Sequence, residues 1–349
     1  MGLVRRCLSY FVGPLLWALG LGCQSQASAP QEDIPLPPIA VAPPAALFEE
    51  EEPFVAENPA LVLEPPHLGS RIPAELPAFS SKDTLTPKQS QDLAAWFKKV
   101  GPRRDNETFG QLIIRAAAEQ FGKPYVRLDE SFAPERLWSR FDAFGCQTLV
   151  ESSLALGHCV WQGRLEQGCY LEELQEYRYV DGKVDGYASK FHYFVDWIDN
   201  NEKRGRVKDM SGALGARKRP KEINFMSKHR DRYPLLKTDD KVLEQIIDIE
   251  KALSAKGQYL LDAEGIAQAQ GDFQDGDIMA IVGNIPGLYI RHVGFFTRAW
   301  DNKPRFLHAS TSSKKVMLTK NDITSYISRK PNRLGVLVIR PRAPSMGKP

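Results

Sequence analysis

Cys146, His292 and His308 are the residues of this 349-residue chain whose types and settings could carry out covalent chemistry. Cys146 follows Gly145 and opens the apolar-periodic stretch CQTLVESSLALGHC, which predicts a helix from Cys146 to about Gly157. A helix N-terminus favours the thiolate, the nucleophilic form of cysteine. Gly145 is an acceptable N-cap and leaves an incoming carbonyl room to approach the backbone. The stretch is therefore a candidate nucleophile segment, although a cysteine in an apolar run is more often part of a core.

A thiol nucleophile needs a base, and two of the six histidines lie on predicted strands. Strand alternation places His292 of YIRHVGFFTR on one face with Gly294, and His308 of RFLHAS on one face with Phe306. If these strands are neighbours, the two imidazoles can lie side by side beneath the cysteine helix, one as base and the other holding it in orientation. From spacing alone the signal is weak, because strand histidines are more often structural and Cys-His-His is also a possible zinc set.

The elements that must position these residues are helices followed by short strands. Ordered structure is predicted to begin at TPKQSQDLAAWFKKV, where Thr86, Pro87 and Gln89 form a capping pattern. Further helices are predicted at ETFGQLIIRAAAEQFG, which would end at Gly122, and at GYASKFHYFVDWIDNN and DDKVLEQIIDIEKALSA. From Gly276 the pattern changes to β segments, namely DIMAIVG, YIRHVGFFTR, RFLHAS, KKVMLT and LGVLVIRPR. This order predicts an α+β fold with a C-terminal antiparallel sheet.

Motifs for cofactors are absent from the sequence. It contains no G-x-G-x-x-G or Walker-type loop and no C-x-x-C or H-E-x-x-H metal spacing. We therefore expect neither a cofactor nor a resident metal. His192 and Asp196, four apart on a predicted helix, could form a hydrogen-bonded pair or two metal ligands, and a structural pair is the favoured interpretation.

Residues 1–23 predict an export signal. Arg5 and Arg6 precede the charge-free apolar run LSYFVGPLLWALGLG. The run is shorter than the apolar stretch that a membrane-spanning helix needs. The segment LGLGC, ending at Cys23, is similar to the bacterial lipoprotein box in which the cysteine is lipidated. Soluble export after cleavage near Ala27 is the alternative. We expect a protein of the periplasm or cell envelope, anchored as an outer-membrane lipoprotein.

Residues 24–79 predict a disordered tether. They hold 12 of the 25 prolines and nine acidic residues against a single arginine, with no apolar periodicity. Residues 80–349, the predicted catalytic domain, carry a net charge of +9, which suits an anionic surface such as cell wall or lipid headgroups, or simply aids solubility. The basic cluster between Arg204 and Lys221 predicts a mobile loop. Nucleic acid is not an expected partner, because the cluster lacks interleaved aromatic residues and the chain carries an export signal.

The cysteine count follows from export. Cys146, Cys159 and Cys169 would remain in an oxidising compartment, and an odd number leaves one thiol over. The economical assignment pairs Cys159 with Cys169 across a short loop and leaves Cys146 reduced. Reduced buried cysteines are the alternative.

Several strings in order resemble a known family. GKPY, GCQTLVESSLAL, GDIMAIV, HVGFF and LHAS occur in the order seen in NlpC-type, papain-like cell-wall cysteine peptidases. The longer strings RYVDGKVDGYASKFHYFVDWIDNN, NFMSKHRDRYP, GLYIRHVGFF and FLHASTSSKKVML resemble one bacterial branch, the N-acetylmuramoyl-L-alanine amidase-like family. The resemblance covers roughly residues 105–341. It implies a papain-like α+β fold and attack by a thiolate on an amide of peptidoglycan.

The resemblance also implies roles for individual residues. Cys146 matches the nucleophile, His292 the general base and His308 the orienting third residue. Tyr125 of GKPY matches a tyrosine that lines the substrate cleft, and His192 lies in a matching string that makes it a candidate cleft residue.

The implied reaction is cleavage of the amide between N-acetylmuramic acid and L-alanine. Cleavage within the stem peptide, or wall binding without catalysis, is the alternative. Three positions depart from the family pattern. Gly145 stands where aspartate is usual, Tyr289 stands where aspartate is common, and YVRLDES lacks the small residues expected after the tyrosine.

Overall fold

The computed structural model describes residues 48–49, 85–127, 134–298 and 300–345. The predicted export signal with Cys23 lies outside the described residues, as does the predicted tether apart from Phe48–Glu49. Among the described residues, no helix is long and apolar enough to cross a membrane.

Helices dominate the first two thirds of the described chain. In order, those of four residues or more are α1 (Pro87–Val100), α2 (Phe109–Ala118), α3 (Cys146–Gln162), α4 (Gln167–Arg178), α5 (Phe194–Lys203), α6 (Phe225–Lys228), α7 (Pro234–Thr238), α8 (Asp240–Lys256), α9 (Ala263–Ala269) and α10 (Ile323–Ser328).

Strands form one large sheet and one small one. They are β1 (Phe48–Glu49), β2 (Val207–Asp209), β3 (Arg217–Arg219), β4 (Gln258–Leu260), β5 (Ile278–Gly283), β6 (Ile290–Thr297), β7 (Arg305–Ala309), β8 (Val316–Thr319) and β9 (Arg333–Pro341). The large sheet has the order β1-β8-β7-β6-β5-β9-β2, and β3 pairs with β4. All pairs are antiparallel except β1 with β8. The predicted α+β fold is confirmed, and the five predicted C-terminal β segments correspond to β5 to β9.

The N-terminal helices begin where their capping residues require. The Thr86 hydroxyl accepts from the Gln89 amide at 3.3 Å, and the Gln89 side chain accepts from the Thr86 amide at 2.8 Å, as the sequence predicts. Helix α2 ends at Ala118, before the predicted Gly122. Gly122, at φ +79°, instead donates its amide to Val316 of β8 at 2.9 Å. The glycine therefore turns the chain onto the sheet edge rather than ending the helix.

Helix α3 continues past Gly157, where the sequence predicted its end. A Cβ at Gly157 would lie 2.2 Å from Cδ1 of Ile113, so this glycine lets α2 approach α3 closely. The helix ends instead at Gly163, which is left-handed at φ +72° and serves as the C-cap.

The sheet carries apolar residues on both faces. Val293 and Phe295 of β6 belong to the core that includes the buried side chains of α2 to α5. Phe296 and Phe306 belong to a second, smaller core with Ile323 and other residues of α9 and α10. Helix α3 contacts β6 and β7, so the candidate nucleophile helix packs on the first face of the sheet.

Three further local features differ from the sequence analysis. Helix α4 was not predicted, because its mixed sequence has no clear apolar stripe. The helix predicted over GYASKFHYFVDWIDNN begins only at Phe194, and the residues before it form an irregular segment. The predicted mobile loop between Arg204 and Lys221 contains β2, which joins the edge of the large sheet beside β9, and β3.

Candidate active site

Cys146 is the first residue of α3. Gly145 is the N-cap, with extended backbone angles of φ −85° and ψ 171°, and its amide donates to the Thr148 hydroxyl at 2.9 Å. The Cys146 side chain is half-buried. Among the described cysteines, Cys146 is the one that is not in a disulfide. A sulfur at this position meets the positive end of the helix while keeping access to solvent.

Tyr125 lies near Cys146. It pairs in parallel with Phe144, and its amide donates to the carbonyl of Lys314 at 2.7 Å. Burial raises the pKa of the Tyr125 hydroxyl, and the nearby negative charge of the Cys146 sulfur raises it further, whereas Arg127 lowers it. The structure therefore brings Tyr125 close to Cys146, and its role in a substrate cleft stays a prediction.

His292 and His308 are in direct contact. Nε2 of His292 lies 2.7 Å from Nδ1 of His308, and the rings are nearly perpendicular with centroids 4.9 Å apart. His308 is only 1% exposed and stacks on Phe306, with centroids 4.7 Å apart, whereas His292 is half-buried. A buried ring held by its neighbours can fix the orientation of the more accessible ring.

The two imidazoles adjoin the second core, which the sequence did not predict. A Cβ built on Gly294 would lie 2.8 Å from Cβ of His308, and Phe306 beside it belongs to the second core. The ring of His308 also lies against that of Tyr326 on α10, with centroids 5.6 Å apart. The imidazoles therefore project from the face opposite the body of α3, because strand alternation gives the first face to the apolar residues that pack against the helix.

The thiol and the imidazoles nevertheless belong to the same end of the sheet. His292 is the third residue of β6, and His308 is the next-to-last residue of β7, which runs antiparallel to it. The chain then turns through Lys314 into β8, and Lys314 holds the segment that carries Tyr125 beside Phe144. Cys146 follows two residues after Phe144, so the segment that carries it lies toward the same end of the sheet as the two histidines.

A buried ion pair, not predicted from the sequence, lies one turn into α3. Glu151 and Arg178 are each 1% exposed, and their side chains meet at 2.8 Å. Glu151 also accepts from the amide of Gln147 at 2.8 Å, and Arg178 donates to the carbonyl of Trp138 at 2.6 Å. These bonds fix the residue that follows Cys146 and connect the start of α3 to α4. No sequence motif marks them, because the partners are 27 residues apart.

Arg127 was also missed as a site residue. The parallel pairing of Tyr125 with Phe144 brings Arg127 level with Cys146, and Arg127 is exposed. Its charge lowers the pKa of Tyr233, which burial otherwise raises, so Tyr233 lies near the same cation. The signal that could have found Arg127 is its position in YVRLDES, where the chain departs from the family pattern.

His192 and Asp196 do not form the predicted pair. His192 precedes α5, donates Nε2–H to the carbonyl of Tyr187 at 2.8 Å and lies against the Tyr187 ring. Asp196 accepts from Asn200 at 2.7 Å, and burial raises its pKa to about 6. The i, i+4 spacing does not apply, because the helix begins after His192.

Cys159 and Cys169 form a disulfide between α3 and α4, with Cα atoms 5.9 Å apart. Both residues are fully buried. Within the described part of the chain, no group of three or more His, Cys, Asp or Glu side chains could hold a metal ion.

A family model described as AmiA-like, N-acetylmuramoyl-L-alanine amidase-like, matches residues 116–336. The chain belongs to this family. No curated protein matches the chain. Among solved structures, an N-acetylmuramoyl-L-alanine amidase from Bacteroides uniformis is 32% identical, with a TM-score of 0.63; the match covers 67% of this chain and 99% of that one.

Two further structures extend the comparison. A protein from Bacteroides fragilis, named as a candidate xylanase, is 31% identical with a TM-score of 0.61, over 64% of this chain and 98% of its own. A Legionella pneumophila protein is 20% identical with a TM-score of 0.54, over 74% and 96%, and shares the fold alone. The amidase-like family predicted from the sequence is confirmed, and so is the α+β architecture.

Proposed function

We propose that this member of the amidase-like family is a peptidoglycan amidohydrolase with Cys146 as its nucleophile. The observation that carries the proposal is the contact between His292 and His308 at the sheet end that also holds the half-buried Cys146 at a helix start. The bond proposed to be cut is the amide between N-acetylmuramic acid and L-alanine. The papain-like relationship of the fold is part of the same proposal.

The proposed reaction has two steps. His292 accepts the thiol proton of Cys146, and the sulfur attacks the carbonyl carbon to give a tetrahedral oxyanion. As the oxyanion collapses, the C–N bond breaks and the leaving amine takes the proton from His292. Water, deprotonated by His292, then attacks the thioester, releasing the carboxylic acid and regenerating the thiol. His308 holds the His292 ring in orientation throughout.

Backbone amides at the start of α3 would stabilise the oxyanion. The first N–H groups of a helix have no partner within the helix, and their dipoles point toward the N-terminus. Gly145 has no side chain to cover this position, and the bond from its amide to Thr148 fixes the backbone there. Donors fixed in this way stabilise developing negative charge without reorganising.

The family and the exposure of the site favour an enzyme over a binding module. A structural thiol is usually sealed, whereas Cys146 and His292 are both half-buried. A glycosidase would need two carboxyl groups flanking the bond. The acidic residue nearest Cys146 along α3 is Glu151, which is buried and bound to Arg178. Stem-peptide cleavage by the same residues is the close alternative, since both reactions are amide hydrolyses.

The cellular setting is part of the proposal. An N-terminal signal ending at Cys23, a lipid anchor on that cysteine and the proline-rich tether would present the enzyme to the cell wall from the outer membrane. These segments lie outside the described residues, apart from Phe48–Glu49. The disulfide between Cys159 and Cys169 supports an oxidising compartment.

The test is digestion of defined muropeptides followed by mass spectrometry of the products. Wild type is expected to release the intact stem peptide with a free L-alanine amine, and Cys146→Ala is expected to release none while unfolding at the same temperature. Release of shorter peptides would assign stem-peptide cleavage instead. Full turnover by Cys146→Ala would disprove the nucleophile assignment, and no turnover by wild type would favour the binding module.

A further inference from the structure

Strand β3 presents a row of positive charge that the described residues do not neutralise. Arg217, Lys218 and Arg219 are all exposed, and Lys221 follows two residues later. Within the described residues, none of the four forms an ion pair with a carboxylate. We call these four residues the basic strand. Its charge is available to an outside partner.

Two other arginines of the same cluster behave differently. Arg204 binds Glu176 at 2.7 Å, and Arg206 binds Glu173 and packs on the ring of Tyr177. These two residues connect α4 to the chain leading into β2. Arg204 and Arg206 therefore form ion pairs within the protein, whereas the described contacts of the basic-strand lysines are with the rings of Tyr259 and Tyr289.

The strand opposite the basic strand carries no charge to balance it. Arg217 pairs with Leu260, Lys218 with Tyr259 and Arg219 with Gln258. Cross-strand neighbours are the closest side chains on a sheet, and opposite charges are common there. In β4 they are replaced by an amide, a phenol and an aliphatic side chain.

The basic strand connects directly to the sheet end that holds the candidate site. Tyr289 donates its hydroxyl to the carbonyl of Tyr259 at 2.5 Å, and Nζ of Lys221 lies 6.0 Å from the centroid of the Tyr289 ring. Tyr289 comes immediately before β6 and three residues before His292. At about 3.3 Å per strand residue, the Tyr289 backbone lies about 10 Å from that of His292 along the strand, and the Tyr289 ring connects this position to Lys221.

We propose that the basic strand is a secondary binding surface for the carboxylate groups of peptidoglycan stem peptides next to the one being cut. The inference rests on the proposed function and extends it from a single amide to a polymeric substrate. A polymer engaged at the site must continue across the neighbouring surface, and its stem peptides carry carboxylates at intervals. Guanidinium groups bind carboxylates through two parallel hydrogen bonds, which suits Arg217 and Arg219.

The experiment compares a polymer with a fragment. The full chain carrying Arg217→Gln, Lys218→Gln and Arg219→Gln is compared with wild type on insoluble sacculi and on a soluble monomeric muropeptide. A matched control replaces three exposed cations elsewhere, Lys98, Lys99 and Arg104, with glutamine. Sacculus binding is measured by cosedimentation in a Cys146→Ala background, so that the polymer is not consumed.

The basic-strand variant is expected to bind sacculi about tenfold more weakly than wild type at low salt, because three exposed charge pairs are lost. Its turnover of sacculi should fall in parallel, while turnover of the monomer stays within twofold. Raising the salt concentration should weaken binding of wild type more than that of the variant. The control variant should match wild type in every measurement.

Three results would overturn the inference. Sacculus binding by the variant equal to wild type would exclude the surface, and an equal loss of turnover on the monomer would make the hairpin structural. Weaker binding to phosphatidylglycerol vesicles with unchanged binding to sacculi would assign the surface to membrane lipid. If wild type cleaves neither substrate, the proposed reaction is wrong, and the cosedimentation result still decides whether the surface binds the polymer.

Discussion

Helix α3 has a histidine cluster near each of its ends, and the two clusters differ in one decisive respect. Near its N-terminus, His292 and His308 are hydrogen-bonded at 2.7 Å, and His292 is half-buried. In its C-terminal half, His158 lies 3.1 Å from a Glu173 carboxylate oxygen and 2.8 Å from the Tyr177 hydroxyl, but it is only 3% exposed. Both clusters contain the hydrogen bonds of an acid–base site, and only the first is open to a substrate.

The buried cluster uses the same chemistry for a structural purpose. Burial lowers the pKa of His158 more than the Glu173 hydrogen bond raises it. Burial opposes ionisation of Glu173, but its bonds to His158 and Arg206 outweigh this and lower its pKa to about 2. The cluster therefore ties α3 to α4 and to the chain entering β2. A histidine bonded to a carboxylate indicates catalysis only when a nucleophile and solvent reach it.

The largest expected effect separates the two histidines by function. His292→Gln should lower kcat/KM by at least about 10³-fold, since it removes the proposed base, and should leave the unfolding free energy nearly unchanged. His158→Gln should keep turnover within about threefold but cost about 1–3 kcal/mol of stability, because Glu173 and Tyr177 both lose their hydrogen bonds to the buried imidazole. Muropeptide kinetics and urea unfolding of both variants measure the difference. The reverse pattern would exchange the two roles.

The second prediction concerns the buried ion pair of Glu151 and Arg178, which supports the start of α3. Glu151→Ala should cost about 3–5 kcal/mol, because it leaves the Arg178 charge buried without its carboxylate partner. The exposed pair of Lys88 and Asp92 is the control, and Asp92→Ala should cost less than about 1 kcal/mol. Urea unfolding curves give both values. A cost for Glu151→Ala below that of Asp92→Ala would mean that this ion pair does not hold the start of α3.

The fold was largely predictable where local signals determine it. The capping pattern at Thr86 fixes the start of α1, and short apolar β segments separated by turn-forming residues identify β5 to β9. Two glycines led to wrong predictions of where α2 and α3 end. Gly122 turns the chain onto the sheet, and Gly157 allows α2 to pack closely against α3. Both roles depend on residues that are distant in the sequence.

The site was predictable in its residues more than in its arrangement. The contact between His292 and His308 follows from alternation on neighbouring strands, but the face from which they project depends on which side α3 packs. The bond between Glu151 and Arg178 could not be predicted, because nothing local requires α4 to place an arginine there. Long-range pairs of this kind are determined by tertiary packing.

The third prediction uses the pH dependence of stability to test the structural role of His158. A histidine whose folded pKa lies below its unfolded value of about 6.5 costs stability as pH falls through that unfolded value, because the unfolded chain binds the extra proton. The free energy of unfolding should therefore fall by up to about 2 kcal/mol between pH 6.5 and pH 5. His158→Gln should flatten this region of the curve. A further loss is expected below about pH 4.5, as protonation removes the stabilising charge of Glu173.

The smallest expected effect concerns Gly145, which stands next to Cys146 where the family usually has aspartate. Gly145→Asp should change stability by less than about 1 kcal/mol, because two effects oppose each other. A carboxylate is a good N-cap at the positive end of a helix, but the new Cβ would lie 3.2 Å from the carbonyl oxygen of Val126, which must yield slightly.

The new charge should act more clearly on chemistry than on stability. An anion next to Cys146 disfavours the thiolate, so Gly145→Asp should slow alkylation by iodoacetamide about threefold at mildly acidic pH. Gly145→Ala adds the same Cβ without the charge and should alkylate at the wild-type rate. If both variants slow equally, the cause is the contact with Val126 and the charge is irrelevant. Glycine at this position would then serve the backbone approach, because the parallel pairing of Tyr125 with Phe144 brings the two chains together there.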